Sequence, residues 1–159
     1  MGASLQGQVA IVTGASGGLG AHFAQLLAAE GAAVALAARR LERVEARAGE
    51  LAGQGHRAMA LRLDVAEAET IGPAIDEVEA ALGPVSILVN NAGVGGEGLA
   101  LDIAVEDFDR TFTVNVRGTF VAAREAAKRM LASGVAERGE GRILNIASIA
   151  SQTVLPGLS

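Results

Sequence analysis

Thr13-Gly14-Ala15-Ser16-Gly17-Gly18-Leu19-Gly20 decides the fold, because it follows the apolar run Val9-Ala10-Ile11-Val12 and opens an apolar-periodic stretch from Leu19 to Ala29. Strand, glycine turn, helix is a geometry that holds phosphate. A helix N-terminus leaves backbone N–H groups without intrahelical partners and carries a partial positive charge. A diphosphate reaches those amides only where no Cβ stands between, so the turn has to be glycine. The glycines at 14, 18 and 20 read G-x-x-x-G-x-G, with an additional Gly17, rather than the commoner G-x-G-x-x-G. A flexible surface loop uses the same residues. The context argues for the phosphate geometry, since a second strand-like run, Ala33 to Ala37, completes a βαβ unit of the length a mononucleotide-binding half needs.

Working outward, apolar runs alternate with helical patterns along the chain. Strands are predicted at Val9–Val12, Ala33–Ala37, Ala58–Leu63, Ser86–Asn90 and Arg142–Ala147. Each is short and apolar on both faces, as central parallel strands covered by helices are. Helices are predicted at Gly18–Ala29, Leu41–Ala52, Glu67–Leu82 and, as one long element, Val105–Ala132. Gly31, Gly53 with Gly55, Gly83-Pro84 and Gly134 punctuate their ends. Strands alternating with helices imply a parallel sheet with right-handed crossovers, hence a doubly wound α/β fold. Ligands on such a sheet bind at the carboxyl ends of the strands. The places to search are therefore Thr13–Gly20, Ala38-Arg39-Arg40, Asp64-Val65, Asn90–Gly93 and Ala147-Ser148.

Composition narrows the chemistry. With 159 residues the chain is long enough for one domain and too short for two ordinary ones. It has no cysteine, which excludes disulfides, thiol catalysis and cysteine–zinc sites. A net charge of -5 argues against general nucleic-acid binding. No metal-ligand cluster is visible, and His22 and His56 find no acidic partner by spacing. The N-terminus lacks a basic segment followed by an apolar one, and no apolar run reaches the length of a membrane span. A cytoplasmic protein without a membrane partner is the expectation.

Five motifs together resemble the short-chain dehydrogenase/reductase family: Thr13-Gly14-x-x-x-Gly18-x-Gly20, Asp64-Val65, Asn90-Asn91-Ala92-Gly93, Val114-Asn115-Val116 and Asn145-Ile146-Ala147-Ser148. They occur in the family's order and cover essentially the whole chain. The resemblance implies a Rossmann-type sheet with strand order 3-2-1-4-5 and a nicotinamide dinucleotide cofactor. Gly14, Gly18, Leu19 and Gly20 would then carry the diphosphate turn. Ser16 can cap the helix or hydrogen-bond a phosphate. Asp64 would accept from the adenine amino group with Val65 behind the ring, and Asp64 equally suits an N-cap for the helix near Glu67. Asn91, Ala92 and Gly93 would let the cofactor ribose lie against the backbone, while Asn90 would tie neighbouring strands together.

An acidic residue at the second strand exit would bond the adenosine ribose hydroxyls and repel a 2′-phosphate. Here Ala38 holds that position, followed by Arg39 and Arg40. Two guanidiniums without a carboxylate suit a 2′-phosphate, which favours NADP(H) over NAD(H). The alternative is that both arginines merely start the next helix. Gly17 stands where many NADP-dependent relatives carry a basic residue.

For chemistry, the resemblance makes Ser148 the residue that hydrogen-bonds the substrate oxygen, with Ser151 a weaker alternative, and makes Asn115 the holder of a water in a proton relay. Asn is a poor interior helix former, so a polar residue satisfied by backbone is the other reading of position 115. The substrate would be a small carbonyl or secondary alcohol, and the enzyme a homo-oligomer, dimer or tetramer. The family's Tyr-x-x-x-Lys breaks the pattern. Its Tyr falls past Ser159 by spacing, and the chain contains no Tyr at all. Residues 1–159 are therefore expected to be a single dinucleotide-binding domain, incomplete at its C-terminal side, with the last helices and strands missing, the fifth strand at a sheet edge and one sheet face short of a covering helix. Expected behaviour for the chain alone is cofactor binding without turnover. A binding module or partner subunit without hydride chemistry is the competing reading. The loop Val94–Leu99 is the substrate-side segment, and its glycines indicate mobility only.

Overall fold

The computed structural model describes residues 4–95, 99, 101–149 and 152–153. Five parallel strands form one sheet: β1 (Val9–Thr13), β2 (Ala33–Ala38), β3 (Ala58–Arg62), β4 (Ile87–Asn90) and β5 (Arg142–Asn145), in the order β3-β2-β1-β4-β5. This is the expected order. Val9 pairs with Ala33 and Thr13 with Ala37 on one side of β1, while Ala10 pairs with Ile87 and Val12 with Val89 on the other. The strand order reverses beside β1, so its carboxyl end sits at the switch point where doubly wound sheets take ligands.

Every residue of β1 is buried because both faces are covered. Val9 and Ile11 face one core with Leu61, Val78, Leu88, Val121 and Ala126. Ala10 and Val12 face the other with Val34, Leu36, Val44 and Leu51. Helices α1 (Gly18–Ala29) and α2 (Leu41–Gly53) cover the second face, and α3 (Ala68–Leu82) and α5 (Thr119–Ala132) the first. α1 buries Gly20, Ala24 and Ala28, a stripe of small residues at i, i+4 and i+8 that lets the helix lie close to the sheet. α2 buries Val44, Ala48 and Leu51 and turns its charged residues to solvent. Each fully buried Val or Leu contributes about 1.5–3 kcal/mol. Both helices end in the same way. Gly31 N–H donates to Ala28 O and Ala32 N–H to Leu27 O; Gly55 N–H donates to Ala52 O and His56 N–H to Leu51 O.

Two expectations are corrected. Coverage on both faces holds for β1, β2 and β4 but not for β3, whose Ala58, Met59 and Ala60 are only half-buried. All four residues of β5 are exposed, as expected for the fifth strand at a sheet edge. The second correction concerns Val105–Ala132, which is not one regular helix. α4 (Val105–Phe112) passes into a π-helical turn, Thr113–Gly118, before α5 begins. Asn115, singled out as a poor helix former, sits inside that turn. Across the first face, α5 is bonded to α3 by Arg129, whose guanidinium meets Asp76 Oδ1 at 2.6 Å and donates to Gly72 O at 3.0 Å. No helix among the described residues is long and apolar enough to cross a membrane.

Candidate functional site

Glycine is required where the β1–α1 turn meets its neighbours. Gly14 has φ +68°, and a Cβ there would stand 2.9 Å from Ala92 Cα. A Cβ on Gly20 would stand 2.5 Å from Gly14 O, so α1 packs onto the turn only without one. Gly18 differs, because nothing lies within 4 Å of where its Cβ would be. Its side of the helix start is open space. Gly17 is the N-cap of α1, no side chain caps the helix, and its first turn carries no acid. The first amides of α1 thus lack the i−4 carbonyls that later residues have. Ser16 does not cap, contrary to one of its two expected roles; its hydroxyl accepts from Arg40 Nη2 at 3.3 Å.

Thr13 organises the neighbouring strand exit. Its hydroxyl oxygen accepts from Asn91 N–H and Ala92 N–H, both at 3.0 Å, and donates to Val89 O at 3.4 Å. Asn91 returns the contact, its Nδ2 donating to Thr13 O at 3.0 Å. The amide of Asn91 is therefore engaged in holding the β1 and β4 exits together, and what it offers a ligand is position. Asn90 is buried and donates from Nδ2 to Asn145 Oδ1 at 2.9 Å, joining β4 to β5 as the resemblance implied.

Between these exits lies a cavity of about 280 Å³, bounded by Gly14, Ser16, Ala38, Arg39, Arg40, Leu63, Asp64, Val65, Asn91, Ala92, Gly93, Val94 and Val114. Nine of the residues expected at the cofactor meet there: Gly14, Ser16, Arg39, Arg40, Asp64, Val65, Asn91, Ala92 and Gly93. Gly18, Leu19 and Gly20 are not in its wall. Gly20 is buried beneath the turn, and Leu19 is exposed on the helix start. Arg39 and Arg40 both precede α2 and line the cavity, so the two readings of this pair are compatible. Asp64 does not cap α3, whose N-cap is Glu67 without a side-chain bond. Its Oδ1 instead accepts from Ala66 N–H at 3.0 Å, closing a tight local turn before the helix.

Asn115 adjoins the cavity through Val94. Its Oδ1 accepts from Val94 N–H at 2.9 Å and its Nδ2 donates to Val94 O at 2.7 Å. The amide is satisfied by backbone, with one lone pair and one N–H remaining. Ser148 is exposed beyond the end of β5 and is not in the cavity wall. Ser151 and most of the loop from Gly96 onward lie outside the described residues, as does the start of the chain. His22 is exposed on α1 and His56 half-buried. Among the described residues no group of acids and histidines is placed to hold a metal ion.

Sequence reasoning missed two parts of this arrangement. Thr13 was legible only as a motif letter, because its partners are 78 and 79 residues away. Arg117, which donates from Nη2 to Ala66 O at 2.6 Å, carried no signal at all. The lining by Leu63 and Val114 follows from their places at a strand exit and beside Asn115.

The sequence model described as short chain dehydrogenase matches residues 8–159. D-threitol dehydrogenase of Mycolicibacterium smegmatis is 40% identical over 153 residues, covering 95% of this chain and 56% of that protein. Gluconate 5-dehydrogenase of Gluconobacter oxydans is 32% identical, covering 98% of this chain and 59% of its own length. Among solved structures, a gluconate 5-dehydrogenase from Burkholderia cenocepacia in complex with NADP and tartrate superposes with a TM-score of 0.88 at 34% identity. It covers 99% of this chain, which spans 60% of that one. A short-chain type dehydrogenase/reductase from Mycobacterium marinum gives a TM-score of 0.91, also at 34% identity, with 99% and 62% covered. The chain thus spans somewhat over half the length of these relatives.

Proposed function

The chain belongs to the short-chain dehydrogenase family, and from that premise we propose that residues 1–159 form one dinucleotide-binding domain of an oxidoreductase that uses NADP(H). The observation that carries the cofactor choice is the second strand exit at the cavity, where Ala38 rather than a carboxylate precedes Arg39 and Arg40 and Ser16 accepts from Arg40. Ser16 holds the Arg40 guanidinium at the cavity wall, and Arg39 stands beside it. Two positive forks at the cavity wall favour a 2′-phosphate, and nothing at position 38 repels one. The cofactor complex of the Burkholderia relative supports the same choice.

When bound, the nicotinamide supplies the hydride for exchange with a carbonyl or secondary alcohol carbon. This chain's residues would bind and position. Open amides at the start of α1 hold the diphosphate, Asp64 and Val65 take the adenine, and Asn91, Ala92 and Gly93 take the ribose against the backbone. Asn115 fixes the Val94 loop and offers its remaining N–H and lone pair to a relay water. Ser148 orients the substrate oxygen. Proton transfer at neutral pH needs an acid–base group beside that serine, and the chain has no Tyr to be one. A dinucleotide-binding module without turnover is the second reading. Val105, Phe108, Phe112, Val116 and Phe120 form an exposed apolar stripe at helical spacing, which supports association into a homo-oligomer.

Calorimetric titration with NADPH and NADH tests the proposal. NADPH is expected to bind on the order of tenfold more tightly, and Arg39→Ala or Arg40→Ala to remove most of that margin. Equal affinity for the two would contradict the NADP(H) assignment, and no binding of either would contradict the dinucleotide site. Carbonyl reduction by the same sample would decide against the module.

A further inference from the structure

The π turn Thr113–Gly118 grips two cavity loops at once. On one side Asn115 bonds the backbone of Val94 through both of its amide atoms. On the other side Arg117 Nη2 donates to Ala66 O at 2.6 Å. Between them Gly118 is buried against the same loop as Arg117: a Cβ at Gly118 would stand 2.6 Å from Val65 O and 3.0 Å from Val65 Cβ. Val114, from the same turn, lines the cavity itself. π turns are rare and cluster at functional sites, where the additional residue re-aims side chains. Here the re-aimed side chains reach opposite edges of one cavity.

We propose that Arg117 is a positioning residue for the adenine end of the site, acting through the Ala66 carbonyl. This rests on the dinucleotide reading given above. Ala66 O and Glu67 N–H belong to one peptide plane. Arg117 holds its oxygen, and its N–H donates to Asp64 O at 3.0 Å. The preceding peptide is held from within the loop, by Ala66 N–H donating to Asp64 Oδ1. Arg117 is thus the external anchor of the turn that presents the Asp64 carboxylate and the Val65 side chain to the cavity. A bond from a charged donor to a carbonyl is among the stronger kinds. Without it the 66–67 peptide keeps only the Glu67 N–H bond to Asp64 O, and the carboxylate and apolar wall are held less firmly at their spacing. Gly118 keeps the π turn close enough for the bond to form.

The test uses the whole chain and 2′,5′-ADP, which carries the adenine half of NADP without the nicotinamide. Arg117→Met keeps the aliphatic stem and deletes the donors, whereas Arg117→Lys keeps a donor. Arg117→Met is expected to weaken 2′,5′-ADP on the order of fivefold while the unliganded Tm stays within about 2 °C of the native chain. Arg117→Lys is expected to regain most of the affinity. Undiminished affinity in Arg117→Met overturns the proposal. So does an affinity loss that comes with a fall in Tm of more than that and is not regained by Lys, which marks a purely structural bond. If the native chain binds neither 2′,5′-ADP nor NADPH, the dinucleotide reading fails first, and this one with it.

Discussion

Thr13 satisfies two backbone donors with one oxygen. Asn91 N–H and Ala92 N–H both end on its hydroxyl, in a half-buried loop that lines the cavity. Replacing Thr13 by Val keeps the volume and strands both donors, so we expect a loss of about 1–3 kcal/mol in urea unfolding. Thr13→Ser should restore most of it. A Val variant as stable as the native chain would show that the hydroxyl is dispensable. Gly14 and Gly20 were legible in the sequence because their constraint is local: the backbone must turn and let a helix come close. Thr13 and Arg117 were not, because their partners come from distant segments that only the folded sheet brings near. Asn115 lies between these cases. Its type flagged it as out of place in a helix, yet nothing in the residues around it named Val94 as its partner.

At the level of elements, α1 runs Gly18–Ala29, as the apolar period and the glycine turn indicated. The break between α4 and α5 was invisible to periodicity, since a π turn shifts the pattern by one residue and Val114 and Gly118 still face inward. α5 also carries a strongly perturbed carboxylate. Glu125 is held at about 2, against an ordinary 4.5. Its hydrogen bond from Lys128 is the main cause, and bonds from Arg129 and Arg124 add to it against an opposing effect of burial. The folded chain therefore keeps this carboxylate ionised at a pH where the unfolded chain has protonated it. The resulting stabilisation is complete above about 4.5 and vanishes as the pH falls to about 2. Glu125→Gln should accordingly lower Tm at pH 7, with the gap to the native chain closing on acidification through that window. A gap that stays constant from pH 7 downward would place the stabilisation elsewhere.

For the whole molecule, alternation of apolar runs and helical stretches was enough to establish the layers, the parallel sheet and the switch point at β1. The exposure of β5 followed from the resemblance, which leaves that strand at an edge, and not from residue type. Ile143 and Leu144 are as apolar as the buried Ile87 and Leu88, yet they are exposed because they sit on an edge strand that nothing among the described residues covers. What unites the scales is the placement of an uncapped helix start at the switch point, beside a cavity with arginines at one corner. Titration of the ¹⁵N-labelled chain with NADPH, followed amide by amide, tests that placement most directly. Saturable shifts are expected, centred on the amides of Gly18, Leu19 and Gly20 and extending to Gly14, Arg40 and Val65. Saturating NADPH that leaves the three α1 amides unmoved would contradict that placement.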